Sequence, residues 1–216
     1  MPIIEMITRV LSGASATFII FFTTLIISLP LGIVIMFMKK CNIRFVSVLT
    51  SMMISLLRGT PLMLQLIVWF YAPYYLFRIQ LTRDWRVMAV ILGFSINYAS
   101  YFAEIYRGGY ESIPCGQTEA SIVLGYNKIQ TFMRILLPQL IKRVLPPVTN
   151  EIITLIKDTS LAFVIAYAEV FTIAKQVAAA KTTIIPLFIA GAFYYIFNFI
   201  VERVMGYIEK RFSYFE

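Results

Sequence analysis

Long apolar stretches alternate with short polar intervals along the whole chain. An α-helix needs about 20 apolar residues to cross the hydrocarbon core of a bilayer, so each long stretch is a candidate membrane span. One of the stretches carries a charged residue in its middle, and another carries a short polar cluster. We therefore predict an all-α membrane protein with five transmembrane helices, at residues 14–38, 45–77, 87–106, 144–174 and 183–201.

The interval between the third and fourth spans, residues 107–143, is polar and basic and has a pattern of its own. It predicts a short helix, a turn at Gly125-Tyr126-Asn127-Lys128, and a second amphipathic helix whose apolar residues fall within 129–136. Two helices joined by a turn outside the membrane form a rigid, water-facing knob that suits a groove on a partner. The alternative is an ordinary loop between two spans.

The composition supports a membrane protein, since 60% of the residues are hydrophobic and only 14% are charged. Lysine and arginine concentrate at 39–44, 107–143 and 203–211, which lie on one side of the membrane if there are five spans. This bias places the 107–143 interval and the C-terminus in the cytoplasm and the N-terminus outside. The net charge of +8 does not indicate nucleic-acid binding, because most basic residues flank spans and meet lipid headgroups.

The chain is predicted to be a single domain over residues 1–216, without internal repeats. Apolar residues recur at helical spacing within the first 13 residues, so this piece is predicted to lie along the outer membrane interface as a short helix.

Charged and polar residues interrupt two of the predicted spans. Arg58 lies in the second span, and Lys157, Asp158, Thr159 and Ser160 lie in the fourth. Each interruption begins 14 residues after the last basic residue of a cytoplasmic interval. That separation is about 21 Å along a straight helix, so both clusters are predicted at the same depth. Because charges at this depth are costly, they predict a polar ligand site or a water-filled passage; an internal Arg58–Asp158 ion pair is the alternative.

Three more polar residues in the spans are candidates for the same path. Asn97 and Glu104 share one face of the third span. Glu104 either lines a pore or pairs with Arg107 three residues later. Glu169, toward the outer end of the fourth span, is predicted to meet external water and recognise a cation, or else to form an interhelix hydrogen bond.

The 107–143 interval also carries a sequence motif. Glu119-Ala120-Ser121, followed by Gly125 and by Ile135-Leu136-Leu137-Pro138, resembles the motif of the inner-membrane permease subunits of ABC importers. Ser121 replaces the second alanine of the motif and is also small. The resemblance implies that residues 107–143 form a cytoplasmic coupling region, including a coupling helix that docks on the ATP-binding subunit. The residues that it implies for coupling are Glu119, Ala120, Ser121, Gly125, Ile135, Leu137 and Pro138.

Further segments narrow the resemblance. Arg58-Gly59-Thr60-Pro61-Leu62 and Lys157-Asp158-Thr159-Ser160-Leu161 are similar to segments of the polar amino acid permeases within that group. The chain has no G-x-x-x-x-G-K-[ST] phosphate loop of its own. The resemblance implies a transport subunit without a cofactor, which is not itself an enzyme, in a prokaryotic inner membrane. Its implied partners are two ATP-binding subunits that use ATP and magnesium, a second permease subunit, and an extracytoplasmic solute-binding protein. We predict that the second permease subunit is an identical copy of this chain, with a paralogue as the alternative.

An amino acid presents a carboxylate and an ammonium group, so its site needs both charges. Arg58 or Lys157 can bind the carboxylate, and Asp158 with the hydroxyls of Thr159 and Ser160 can bind the ammonium. We predict a basic amino acid (arginine, lysine or histidine), whose side chain would need one more carboxylate, from Glu104 or Glu169. The alternatives are glutamine or glutamate as substrate, a passive channel for small polar solutes, and an intramembrane enzyme using a Ser160–Lys157 pair. The predicted path residues are Arg58, Asn97, Glu104, Lys157, Asp158, Thr159, Ser160 and Glu169.

Overall fold

A computed structural model describes residues 2–212, and this part of the chain is built from helices joined by short turns. Met1 and residues 213–216, which the single-domain prediction includes, lie outside the described residues. The α-helices are α1 (Ile3–Leu11), α2 (Ala14–Lys39), α3 (Arg44–Gly59), α4 (Leu62–Phe77), α5 (Arg83–Glu111), α6 (Cys115–Val123), α7 (Lys128–Thr131), α8 (Leu137–Asp158), α9 (Val170–Lys181) and α10 (Ile185–Phe212).

The spans come in two kinds. By length and composition, Ile3–Lys39, α5 and α10 can each cross a membrane as a continuous helical segment. Two further candidates are bent: α3 with α4 by 110°, and Lys128–Ile165 with α9 by 54°. Counting each bent pair as one span gives five, so the predicted all-α architecture is confirmed, with two of its spans broken.

The first break lies at Gly59-Thr60-Pro61. Thr60 is extended (φ −118°, ψ 146°), as expected for a residue that precedes proline. The residue four positions after Leu57 is Pro61, which has no N–H to donate to the Leu57 carbonyl. This carbonyl instead accepts hydrogen bonds from Gln65 Nε2 at 2.8 Å and from Asn97 Nδ2 at 3.1 Å. Two side chains therefore stabilise the break.

The first break lies beyond Arg58 in the chain. Arg44 and Arg58 belong to the same helix, α3, so the separation of about 21 Å along a straight helix still applies. The turn of 110° follows Arg58 and redirects the chain into α4. The Arg58 guanidinium lies beside Glu104 of α5, seven residues before that helix ends, and the depth of Arg58 in the membrane stays a prediction.

The second break follows Asp158. The chain tightens into a 3₁₀ helix over Thr159–Ile165, and Ala166 then adopts a left-handed conformation with φ 53°. Glu169 begins the next helix by accepting hydrogen bonds from the backbone N–H groups of Phe171 and Thr172. The prediction of one helix over 144–174 was therefore wrong: the span is two helices, and its second part continues to Lys181.

The coupling region matches its prediction in part. The short helix is α6, and the turn contains Gly125 with φ 81°, a backbone conformation that favours glycine. Asn127 and Gln130 then form a capping box at the start of α7. The second amphipathic helix is not a separate element, because α7, a π-helical turn over Phe132–Leu136 and α8 form one helical run into the membrane. Pro138 cannot donate to the Arg134 carbonyl, which accounts for the widened turn.

Helix α5 is the centre of the core. Phe94, Tyr98 and Phe102 on this helix are almost completely buried. Gly32 allows α2 to approach closely, because a Cβ atom there would lie 2.8 Å from the Cβ atom of Phe102. Helix α5 thus presents Asn97, Tyr98, Tyr101 and Glu104 to the break between α3 and α4.

Candidate functional site

A cavity of about 520 Å³ lies at the first break, between the Arg58–Leu62 segment, α5 and α8. Its lining includes one cationic side chain, Arg58, and two carboxylates, Glu151 and Asp158. Asn97, Tyr98 and Tyr101 line it from α5. The cavity therefore contains side chains of both charges, as the binding of an amino acid requires.

The two carboxylates come from one face of α8. Glu151 and Asp158 are seven residues apart, which is about two helical turns, so both face α5. The Tyr98 hydroxyl donates a 2.7 Å hydrogen bond to Asp158 Oδ2, and this bond orients the carboxylate. The other oxygen of Asp158 and the Glu151 carboxylate extend the negative side of the cavity.

Arg58 supplies the positive side. Its guanidinium carbon lies 5.1 Å from the ring centre of Tyr101, which is within cation–π range. Its Nη1 atom lies 3.8 Å from Glu104 Oε2. Arg58 therefore pairs with Glu104 and Asp158 bonds with Tyr98, so the alternative of a direct Arg58–Asp158 ion pair was wrong.

A second cavity, of about 480 Å³, adjoins the first. Its lining includes Lys39, Ser51, Ser55, Arg58 and Glu104, so Arg58 belongs to both cavities. This second cavity lies at the end of the bundle where α2 and α5 end and the coupling region begins, which we call the coupling end.

Glu104 is the centre of an ion-pair cluster at the coupling end. Its side chain is 13% exposed and pairs with Lys39, with Arg107 at 2.8 Å and with Arg58 at 3.8 Å. The predicted i,i+3 pair with Arg107 is therefore present. Arg107 also pairs with Glu111, and Lys40 pairs with Glu111 at 3.7 Å.

Asn97 lines the first cavity but also holds the break together. It is 4% exposed, and its Nδ2 donates to the Leu57 carbonyl and, at 3.0 Å, to Gln65 Oε1. Both amide protons are thereby used within the protein.

Of the Lys157–Ser160 cluster, only Asp158 lines the first cavity. The Lys157 side chain is exposed elsewhere, and Thr159 is buried with its hydroxyl donating to the Ile156 carbonyl. The Ser160 hydroxyl donates to the backbone carbonyl of Lys157 at 2.7 Å. Because this hydroxyl bonds the carbonyl and not the ammonium, the contact is not that of a Ser–Lys nucleophile pair.

Glu169 is fully buried, so the prediction that it meets external water was wrong. Its Oε1 accepts from the N–H and hydroxyl of Thr172, and its Oε2 accepts from the Phe171 N–H. The Tyr194 hydroxyl donates to the same Oε2 at 2.7 Å. The interhelix hydrogen bond considered as the alternative is therefore present.

Glu151, Tyr98 and Tyr101 are cavity residues that the sequence reasoning missed. Glu151 had a recognisable signal in the sequence. It lies two helical turns before Asp158 and therefore faces the same side of the helix, and a carboxylate within an apolar span costs free energy unless it has a partner or a function. The two tyrosines had none, since nothing local distinguishes them from the other aromatic residues of the spans.

The residues predicted for coupling differ in their exposure. Glu119 and Ala120 on α6 are exposed, whereas Ser121 is fully buried. Large apolar side chains beside them are exposed, notably Val123 at 87% and Ile129 at 75%. Exposed apolar residues in a polar segment are typical of a protein–protein contact. Ile135, Leu137 and Pro138 are half-buried at the start of α8.

Known proteins resemble this chain over nearly its whole length. The family model described as the binding-protein-dependent transport system inner membrane component matches residues 28–214. The arginine transport system permease protein ArtQ of Bacillus subtilis is 34% identical over 209 residues, covering 96% of this chain and 94% of that protein. The L-cystine transport system permease protein TcyB of the same organism is 36% identical over 189 residues, covering 86% and 79%.

A solved structure agrees with the sequence relatives. The crystal structure of an amino acid ABC transporter with histidines superposes with a TM-score of 0.87 at 26% identity, covering 98% of this chain and 99% of the other. The chain belongs to the family of binding-protein-dependent transport system inner membrane components. Within that family it is the permease subunit of an amino-acid ABC importer, a membrane protein that works with an ATP-binding subunit and a binding protein.

Proposed function

We propose that this permease carries cationic amino acids, and that the cavity between Arg58 and α8 holds them. The observation that carries the proposal is the pairing of two carboxylates, Glu151 and Asp158, with one guanidinium in the same cavity. A cationic amino acid has two positive groups and one negative group, which is the complementary set. The similarity to an arginine permease and to a transporter solved with histidines supports this substrate class.

Each charge of the substrate has a proposed partner. Arg58 takes the carboxylate, because Lys157 does not line the cavity. Asp158 and Glu151 take the ammonium group and the cationic side chain. This assignment replaces the predicted roles of Glu104 and Glu169, since Glu104 is neutralised by nearby cations and the oxygens of Glu169 are engaged within the protein. Asn97 positions the break in the chain that delivers Arg58.

The proposed assembly has two copies of this chain, two ATP-binding subunits and one extracytoplasmic binding protein. The N-terminus lies outside and the coupling region lies in the cytoplasm, in agreement with the distribution of lysine and arginine. ATP and magnesium bind the partner subunit. The exposed surface formed by Glu119, Ala120 and the Gly125 turn docks on that subunit, so that its closure on ATP moves the helices around the cavity.

Thermal unfolding of the purified full chain in detergent tests the substrate class. A ligand at about 100 times its dissociation constant stabilises the folded protein by about 2.7 kcal/mol. We expect upward shifts of Tm with arginine, lysine or histidine and none with glutamine, glutamate or cystine. A shift with one of the latter three alone would replace the cationic class with that substrate.

Two variants test the site itself. Glu151→Gln and Asp158→Asn each remove one negative charge and are expected to abolish most of the arginine-induced shift. Glu202→Gln on α10 is the matched control, because this carboxylate does not line the cavity. Full retention of the shift in both cavity variants would contradict the assignment.

A further inference from the structure

Arg58 is the shared wall of two neighbouring cavities. On one side it faces the Glu151 and Asp158 cavity, and on the other it faces the cavity that contains Glu104 and opens at the coupling end. Each cavity holds at least one carboxylate, so Arg58 lies near negative charge on both sides. In this conformation the guanidinium pairs with Glu104 at 3.8 Å and lies over the Tyr101 ring.

Arg58 can exchange Glu104 for another carboxylate. Glu104 has two closer cations, Lys39 and Arg107, so it stays neutralised when Arg58 leaves. The Arg58 side chain is 42% exposed, and ion pairs of this exposure contribute about 1 kcal/mol or less. A substrate carboxylate that enters the first cavity is therefore a competitive partner for Arg58.

We propose that Glu104 competes with the carboxylate of the substrate for Arg58. When the first cavity is empty, the Arg58–Glu104 pair closes the route between the two cavities. When a cationic amino acid binds, its carboxylate takes Arg58 from Glu104. On release, Glu104 takes Arg58 back and thereby displaces the substrate carboxylate. Glu104 is thus a positioning residue for release, and the inference rests on the proposed cationic site.

The competition gives an expectation that depends on the ligand. Removing the charge of Glu104 frees Arg58, so a ligand with a carboxylate should bind more tightly. Agmatine, which is arginine without its carboxylate, should bind with unchanged affinity because it has no carboxylate to pair with Arg58. A general change in stability or cavity shape would alter both ligands together.

The test measures equilibrium binding of arginine and agmatine to the nucleotide-free assembled transporter in lipid nanodiscs. For Glu104→Gln we expect the Kd for arginine to fall about two- to fivefold, with no change for agmatine. Lys39→Gln should act oppositely, raising the Kd for arginine, because Glu104 then holds Arg58 more strongly. Glu111→Gln is the matched control, since this carboxylate belongs to the same cluster but pairs with Lys40 and Arg107.

The outcomes separate this inference from the proposal on which it rests. Equal changes for arginine and agmatine in Glu104→Gln, or an unchanged Kd for arginine in both Glu104→Gln and Lys39→Gln, would overturn the competition. If the parent transporter binds arginine and Asp158→Asn weakens the binding of both ligands, the proposed function holds even when the competition is overturned. Failure of the parent to bind either ligand would overturn both.

Discussion

The Ser121 hydroxyl lies 2.9 Å from the Thr131 hydroxyl, and this contact joins α6 to α7 within the coupling region. Both side chains are almost completely buried, although most of their neighbours are exposed. The Ser121 hydroxyl also donates to the Thr118 carbonyl at 2.7 Å. The serine that departs from the alanine of the resembled motif is therefore used to hold two pieces of the knob together.

Replacing Ser121 with alanine is expected to weaken the contact between α6 and α7. The change leaves the buried Thr131 hydroxyl without this partner, at a cost of about 1–3 kcal/mol. Thr131→Val removes the other member, and the double variant should cost less than the sum of the two single variants. Urea unfolding of the purified chain measures the three values, and additive effects would show that the contact is not energetically coupled.

Charged substitutions in the exposed coupling surface should separate ATP hydrolysis from uptake. Gly125→Asp or Glu119→Lys is expected to preserve membrane insertion and ATP hydrolysis while abolishing most transport in proteoliposomes. Gly125→Ala is the control: it shares the cost of placing a side chain at a φ of 81°, about 1–2 kcal/mol, without adding charge. Normal coupled transport by both charged variants would contradict the docking assignment.

Glu169→Ala is expected to destabilise the protein without altering substrate selectivity. The change removes the cap of α9 and leaves the Tyr194 and Thr172 hydroxyls without this acceptor, at a cost of about 2 kcal/mol or more. Tyr194→Phe removes one of these bonds and should cost less. The Tm reports the stability, and the ligand panel reports selectivity. A changed ligand preference with unchanged Tm would instead indicate a direct role for Glu169 in recognition.

Gly13→Ala is expected to disturb the contact between the α1–α2 corner and α9. A Cβ atom at Gly13 would lie 2.6 Å from the carbonyl carbon of Glu169, and a backbone atom cannot rotate away. The overpacking should cost about 1–3 kcal/mol in unfolding experiments. Gly191→Ala in α10 is the control, because apart from the adjoining backbone of its own helix no atom of the described residues lies within 4 Å of its Cβ position, and alanine favours helix. Equal stability of the two variants would contradict the close approach.

Local sequence patterns predicted the structure correctly where the residues of one segment determine that structure by themselves. The apolar stretch beginning at Ala14 predicted α2 to within one residue, because bilayer thickness and the hydrogen bonds of a helix depend on that stretch alone. The position of the first break was also visible, since Gly59 and Pro61 weaken the helix around them. The angle of 110° was not, because it depends on Gln65 and Asn97, which bond the freed carbonyl.

By itself, the sequence determined the membrane class, the number of spans and their approximate positions, the exposed knob and, through its motifs, the family. These follow from composition, periodicity and short patterns that neighbouring residues share. Only the tertiary structure decided the partners of the charged residues: Arg58 with Glu104, Asp158 with Tyr98, and Glu169 with Tyr194. These contacts join residues far apart in the chain, and a charged group in the bundle is paired or hydrogen-bonded by whichever groups the packed helices bring near it. Sequence spacing could show that a partner was required but not which residue supplied it.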